Sequence, residues 1–325
     1  MAELKYFQAV SSALRTELER DPTVFLMGED VGQPDGIYAQ TRGLQAEFGA
    51  ERVRDTPAGE VGFMGAAVGA AATGLRPVVE ISFADFFPTC MDQVVNQIAK
   101  IRYMSGGQTA MPITITSFGG ARLNAGPQHS GTFEAWLGSL PGLKVATPAT
   151  PTDACGMLRW AIQDDDPCVV LLHKAFLQHR GEVPDDRDFV VPFGDANVIR
   201  EGSDLTIVCW AGGLPPAREA TEALVADGMD VELIDIRSVQ PLDIDTLVQS
   251  MKRTNRMLLV QETVGFSGIG AEIAARVQSE AFDHLDAPIE RVAAPFAPVP
   301  YSPPLESFVL PDANRVIKAA KELVA

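Results

Sequence analysis

No stretch limits the fold of this chain more than residues 52–77, which read RVRDTPAGEVGFMGAAVGAAATGLRP. Asp55, Thr56 and Pro57 have the character of a turn leading into a helix, with Thr56 able to cap it and Pro57 suited to the first helical turn. Glu60 then falls in that first turn, and beyond it come almost only Gly, Ala and small apolar residues. Gly65 and Gly69 share one helix face, as do Ala66 and Ala70, because each pair has helical spacing. A face that smooth lets another backbone approach closely, and each Gly inside a helix costs about 1 kcal/mol that such an approach must offset. The expectation is a buried helix with one carboxylate at its start. A buried carboxylate is costly without a polar partner. The partner inferred is a ligand; the ordinary alternative is an acid that only offsets the helix dipole.

Around this helix the chain alternates between strand-like and helix-like segments. Leu4, Phe7, Leu14 and Leu18 have helical spacing at the N-terminus. Residues 23–27 (TVFLM) read as a buried strand ending at Gly28-Glu29-Asp30, the place where open α/β sheets hold ligands. Residues 77–81, 111–116, 143–146 and 168–172 read as further strands. Helices are predicted over 89–104, with Met91, Val94, Val95, Ile98 and Ile101 inward, and over 151–163. The charged, Gly/Pro-rich residues 181–204 read as a linker between a domain over 1–180 and a second over 205–325. In the second, strands are predicted at 205–210, 231–236 and 257–260, and helices at 216–227, 245–253, 269–280 and 312–324. Residues 293–306 (AAPFAPVPYSPPLE) read as irregular. This alternation predicts two α/β domains with parallel sheets and right-handed crossovers. Gly268-Ile269-Gly270 opens a helix after a strand, but Ile273 stands at the third Gly of a dinucleotide fingerprint, so the pair reads as close helix–sheet packing.

With 325 residues there is room for two cores, and 46% hydrophobic with 21% charged residues fits a globular protein. A net charge of −17 with no Lys/Arg-rich run argues against nucleic acid or an anionic membrane as partner and favours a basic protein surface. Cys90, Cys155, Cys168 and Cys209 lack paired spacing, which suits a reducing compartment rather than a zinc site or disulfide framework. No apolar run reaches membrane-spanning length, and the N-terminus lacks a signal-peptide core. The reading is a cytoplasmic, bacterial protein.

Asp55-Thr56-Pro57, Glu60 and the following GxAxGxAxxGxRPxxE together resemble the beta subunit of the thiamine-diphosphate-dependent 2-oxoacid dehydrogenase first component. That family includes the pyruvate, branched-chain 2-oxoacid and acetoin enzymes. The likeness runs from Phe7 nearly to the C-terminus and includes Asp235-Ile236-Arg237, Pro241-Leu242-Asp243 and residues 266–272 (FSGIGAE). It implies an N-terminal pyrimidine-binding transketolase-like domain and a C-terminal transketolase-like domain, each a parallel-sheet α/β fold. It implies an oxidoreductase that decarboxylates a 2-oxoacid, or cleaves acetoin, and passes the acyl group to lipoamide. A transketolase-like carboligase subunit and a non-catalytic structural partner are the alternatives.

By this resemblance Glu60 is the acid that activates thiamine diphosphate by sharing a proton with its pyrimidine ring. Phe86 stacks on that ring, and Glu29 lies near it in a chain of acidic groups. His129, within Gln128-His129-Ser130, contacts substrate or the incoming lipoyl group; an imidazole donates or takes a proton near neutral pH. Ala58 stands where a bulkier residue usually lines the cofactor pocket, which implies a looser pocket or a different substrate. Residues 173–180 (HKAFLQHR) also depart from many pyruvate members. The family's potassium site falls on Ile113, Ala161, Ile162, Asp164 and Asp166, oxygen donors of the kind a hard cation takes; Asp166 replaces the Asn of some members. The Gly-Asp-Gly that holds Mg²⁺ and the diphosphate is absent from this sequence. The resemblance therefore implies an alpha subunit that supplies both, an α2β2 heterotetramer, and a lipoyl-bearing acyltransferase as a further partner.

Overall fold

Runs of Val, Ile and Leu become strands covered on both sheet faces, and the amphipathic segments between them become the covering helices. A computed structural model describes residues 1–325, which form two units: residues 1–119 with 136–193, and residues 120–135 with 194–325. The first carries β1 (Ala2–Lys5), α1 (Tyr6–Arg20), β2 (Val24–Gly28), α2 (Leu44–Phe48), β3 (Val53–Asp55), α3 (Glu60–Ala72), β4 (Arg76–Phe83), α4 (Ile101–Met104) and β5 (Thr114–Gly119). After α5 (Glu134–Gly138) come β6 (Lys144–Ala146), α6 (Pro151–Gln163), β7 (Cys168–His173) and β8 (Arg180–Val183).

Six strands of this unit lie in the order β6-β7-β5-β4-β2-β3, every pair parallel. β2, β5 and β7 are buried along their whole length, as strands under helices on both faces must be. From β2 the chain moves out to the edge strand β3 and then returns to β4 on the other side of β2. That reversal opens a crevice at the carboxyl ends of β2 and β4, the ligand position of open α/β sheets. Gly28 closes β2 beside β4; a Cβ there would sit 2.6 Å from the Glu80 carbonyl oxygen, so no larger residue fits.

Several expectations are corrected. The helix predicted over 89–104 is not continuous: its first two residues end a 3₁₀ helix, Ala84–Cys90, and the rest includes a π-helical turn, Gln93–Ile98, and α4. Pro88, just before the predicted start, lies inside the 3₁₀ helix and cannot donate to an α-helical ladder there. The predicted linker is partly strand: β8 pairs antiparallel with β1. The helix α3 is not buried all round. Phe63, Met64, Ala67 and Ala71 pack inward, whereas Gly62, Gly65, Ala66 and Gly69 are exposed, and nothing in the chain lies within 4 Å of a Cβ built at any of the three glycines.

The second unit carries β9 (Asn197–Arg200), β10 (Leu205–Cys209), α7 (Leu214–Ala226), β11 (Val231–Asp235), β12 (Ser238–Gln240), α8 (Ile244–Thr254) and β13 (Met257–Val264). These are followed by α9 (Ile269–Ala281), β14 (Glu290–Ala294), α10 (Pro303–Val309) and α11 (Ala313–Val324). Its sheet order is β14-β13-β10-β11-β9, parallel except for β9. Asp243 caps α8 by accepting from the Thr246 amide, and Asn255 ends it in the left-handed conformation. Of the Pro-rich segment read as irregular, residues 295–302 are so, while its first two residues end β14 and its last four open α10. No helix is long and apolar enough to cross a membrane.

Candidate active site

The carboxyl ends of β2, β3 and β4 are adjacent, so residues far apart in sequence converge there. Asp55, at the end of β3, accepts the Gly32 amide at 2.6 Å and the Gln33 amide at 3.1 Å, which ties the Gly-rich loop after β2 to the turn before α3. The Thr56 amide donates to the Gly28 carbonyl at 3.0 Å. Thr56 does not cap α3, and Pro57 lies outside it: the helix starts at Glu60, with Gly59 as the flanking residue and no side-chain cap. The Thr56 Oγ1 is buried without a hydrogen-bond partner in the chain.

The Gly59 amide instead donates to Glu29 Oε1 at 3.1 Å. Glu29, just past β2, and Glu60, at the first position of α3, therefore sit on either side of one turn. Burial pushes the Glu29 carboxyl above its ordinary range, the Gly59 hydrogen bond opposes this, and the charges of Glu60 and Asp30 add to it. Burial also pushes the Cys90 thiol up to about 12, again with a contribution from Glu60. Glu60 is half-buried, and Ala58 is exposed.

Phe86, in the turn after β4, meets Phe83 edge to face at 5.5 Å between ring centroids. Tyr38 joins the cluster, 6.2 Å from Phe83 and 4.8 Å from Phe118, and Lys174 Nζ lies 5.9 Å from the Phe83 ring centroid. Edge-to-face packing of this kind fixes ring planes as well as burying area. Tyr38 and Lys174 were not expected from sequence; Tyr38 sits in a loop without periodicity, and Lys174 looks like an ordinary surface residue but is buried in the turn just after β7.

Glu80 is the other group that sequence reading missed. It lies mid-strand on β4, fully enclosed, and accepts a hydrogen bond from Gln40 Nε2 at 2.6 Å. Burial pushes its carboxyl up to about 7, against the effect of that hydrogen bond. An acid whose folded pKa is raised holds its proton longer in the native state. Stability is therefore highest below the unfolded value near 4.5 and falls as pH rises to about 7. The fall from this one group is on the order of 3 kcal/mol. Glu80→Gln is expected to flatten urea midpoints between those two pH values; an unchanged slope would assign the dependence elsewhere.

The five residues expected to hold a potassium ion do cluster, at the end of α6 and the start of β5 and β7. The chain itself donates to every one of their main-chain oxygens. Arg76 Nη1 donates to the Ile162 oxygen at 3.3 Å and the Asp164 oxygen at 2.9 Å. The Cys168 amide donates to Ile113, the Asp164 amide to Ala161 and the Cys168 thiol to Asp166. Lys144 Nζ reaches the carboxylates of Asp164 at 2.6 Å and Asp166 at 3.1 Å, and Arg102 also pairs with Asp166. Burial pushes the Asp166 carboxyl up, but Lys144 and Arg102 more than offset this and hold it below the usual range. With both carboxylates neutralised, the donor set fits a monovalent cation only through the second lone pairs of the carbonyls.

His129 belongs to the second unit, in the loop that follows β5. Its amide donates to the Gly126 carbonyl at 3.4 Å, and its side chain is half-buried. Glu29, Ala58, Glu60 and Phe86 belong to the first.

Residues 2–179 match the family model for the transketolase pyrimidine-binding domain and residues 194–316 that for the transketolase C-terminal domain. Over 321 residues the chain is 43% identical to the pyruvate dehydrogenase E1 component subunit beta of Rhizobium meliloti (strain 1021), covering 99% of this chain and 70% of that protein. It is 42% identical over 328 residues to the acetoin:2,6-dichlorophenolindophenol oxidoreductase subunit beta of Bacillus subtilis (strain 168), covering 97% of this chain and 96% of that one. A solved structure described as a split-gene transketolase, inactive beta4 tetramer, superposes with a TM-score of 0.80 at 22% identity, over 99% of this chain and 98% of that one; at that identity it speaks for the fold. With two transketolase-type domains and full-length identity above two-fifths, the chain belongs to the family of E1 beta subunits of the pyruvate and acetoin dehydrogenases.

Proposed function

We propose that this chain is the beta half of a thiamine-diphosphate-dependent dehydrogenase that acts on a 2-oxoacid or acetoin and passes the acyl group to a lipoyl-bearing acyltransferase. The observation that carries the reading is the pair of acids Glu29 and Glu60, joined through the Gly59 amide at the carboxyl edge of a parallel sheet whose strand β4, next to β2, ends at the Phe83–Phe86 pair. Their chemistry fits one end of the cofactor: acids for a ring nitrogen, a flat apolar wall for a ring face, and a buried, unpartnered Thr56 hydroxyl in the same turn. Bound thiamine diphosphate supplies the electron sink for breaking the bond beside a 2-oxo carbon. Glu60 holds and returns the proton at its carboxyl, and Glu29 keeps the turn before α3 closed on it. Phe86 orients the ring by stacking. His129 exchanges a proton with substrate or lipoyl group.

The same reading assigns Mg²⁺ and the diphosphate to an alpha subunit, since no Gly-Asp-Gly occurs in this chain. The bare Gly62, Gly65 and Gly69 face of α3 suits the close backbone approach of that partner in an α2β2 assembly. A potassium ion beside Ile113, Ala161, Ile162, Asp164 and Asp166 is part of the proposal through their carbonyls only. All four cysteines are unpaired and buried, in keeping with work in the cytoplasm.

Titration of thiamine diphosphate and Mg²⁺ into the chain alone, and into its mixture with the alpha chain, tests the reading. Tight binding and dye reduction that depends on a 2-oxoacid or acetoin are expected only in the mixture. Full affinity in the isolated chain would remove the alpha subunit from the argument. A mixture that binds the cofactor but reduces no dye with any of these substrates would overturn the reaction.

A further inference from the structure

The loop that bears His129 is held in an unfavourable backbone shape by two carboxylates from elsewhere in its own unit. Gly120, Arg122, Asn124 and Gly126 all have positive φ, at 82°, 73°, 54° and 72°. For Arg122 this left-handed conformation costs on the order of 1 kcal/mol, for Asn124 less, and at an arginine it persists only where the surroundings impose it. Backbone turning of this kind gathers successive amides into a concavity that accepts an anion. Here the anion is Glu306, on α10 and only 3% exposed. Its Oε1 accepts the Arg122 amide at 3.1 Å and the Asn124 amide at 3.2 Å, and its Oε2 also reaches the Asn124 amide at 3.2 Å.

A second buried acid holds the start of the same loop. Glu262, near the end of β13, accepts the Ala121 amide at 2.7 Å, and its other oxygen takes Arg122 Nε at 3.3 Å. The Arg122 guanidinium also donates to the Pro311 carbonyl at 2.9 Å, just past α10. The ring of Tyr301 packs so close to Gly126 that a Cβ there would lie 3.0 Å from Tyr301 Cδ2. From Gly126 the chain makes the turn that ends at the His129 amide. Charge-assisted hydrogen bonds of this type are about twice as strong as neutral ones, and both acids are buried, so neither exchanges its loop amides readily for water.

We infer that Glu306 and Glu262 are positioning residues: their carboxylates clamp the backbone amides of residues 121–124 and thereby set the place of the His129 imidazole. Neither touches the reacting atoms. The inference rests on the role proposed for His129; a misplacement of about 1 Å can cost a catalytic group on the order of a hundredfold in rate.

The test uses the enzyme assembled with its alpha chain. Glu306→Ala is expected to lower kcat/KM about ten- to hundredfold. Glu306→Gln keeps one acceptor oxygen and should recover most of that loss. In the His129→Ala background, Glu306→Ala should cost almost nothing further, because residues acting through one another are not additive. An equal loss in both backgrounds would overturn the clamp. Hydrogen exchange at the amides of Ala121, Arg122 and Asn124 gives a readout independent of turnover. It should quicken in Glu306→Ala and, for Ala121, in Glu262→Gln, the milder variant that also serves if the first folds poorly. Unchanged exchange would overturn the inference. Quickened exchange with a fully active His129→Ala enzyme would uphold the clamp and overturn the role of His129 instead.

Discussion

Glu60→Gln in the assembled enzyme is expected to lower 2-oxoacid-dependent dye reduction by at least about a hundredfold, the lower end of what a positioned proton-transfer group contributes. The substitution keeps the size of the side chain and removes the ionisable carboxyl with its ability to give and take a proton. Glu60 is the first residue of α3, a helix whose inward packing depends on Phe63, Met64, Ala67 and Ala71, so the core does not rely on its charge. Assembly with the alpha chain, followed by size-exclusion chromatography, should be unaffected. Undiminished turnover would remove Glu60 from the chemistry and return it to the ordinary role of an acid at a helix N-terminus. It would also favour a structural-partner reading for the whole chain.

The largest effect on stability is expected from Arg253→Met. Glu232 lies on β11 with its side chain fully enclosed, and both its oxygens are held by Arg253 Nη2, at 2.8 and 2.7 Å. Arg253, in the last turn of α8, is itself half exposed, so the attraction between the two charges is partly screened and of modest worth. The cost arises on the other side: without its partner a buried carboxylate is left uncompensated, which costs about 3–5 kcal/mol. Urea unfolding at neutral pH would read this as a large fall in midpoint. The double variant Glu232→Met with Arg253→Met should recover most of the loss, because it removes the buried charge along with its partner. A single variant within about 0.5 kcal/mol of the parent, the range of an ordinary surface substitution, would show that water reaches Glu232 despite its burial.

Much of the architecture is legible in the amino-acid sequence. Residues 23–27, 168–172 and 205–210 are runs of strand length, apolar but for Thr23 and Thr206, and they form β2, β7 and β10, covered on both faces. α6, α7, α8, α9 and α11 fall within two residues of their predicted ends, since amphipathic period and caps such as Asp243 are local signals. β1, β8, β9 and β14 were missed. They are edge or paired-away strands of four or five residues, too short and too exposed for periodicity to register. α10 was hidden behind Pro303 and Pro304, which read as loop yet suit a helix's first turn. The helix after β4 was overcalled because apolar spacing at Met91, Val94, Val95 and Ile98 looks helical whether the turns are α, 3₁₀ or π.

What the amino-acid order determined alone was the alternation of strand and helix, the small-residue helix led by an acid, and the family pattern around Glu60, Phe86 and His129. Each of these depends on residues close in the chain. Tertiary structure decided which groups meet. Strand order placed Glu29 against the turn before α3; it enclosed Glu80 with Gln40, drew Lys144 and Arg76 onto the oxygens at the end of α6, and brought Glu262 and Glu306 to the amides of one loop. A carboxylate carries no local mark of its partner. Burial makes it costly alone, and only the path of the chain through the sheet determines which donor lies near enough to satisfy it.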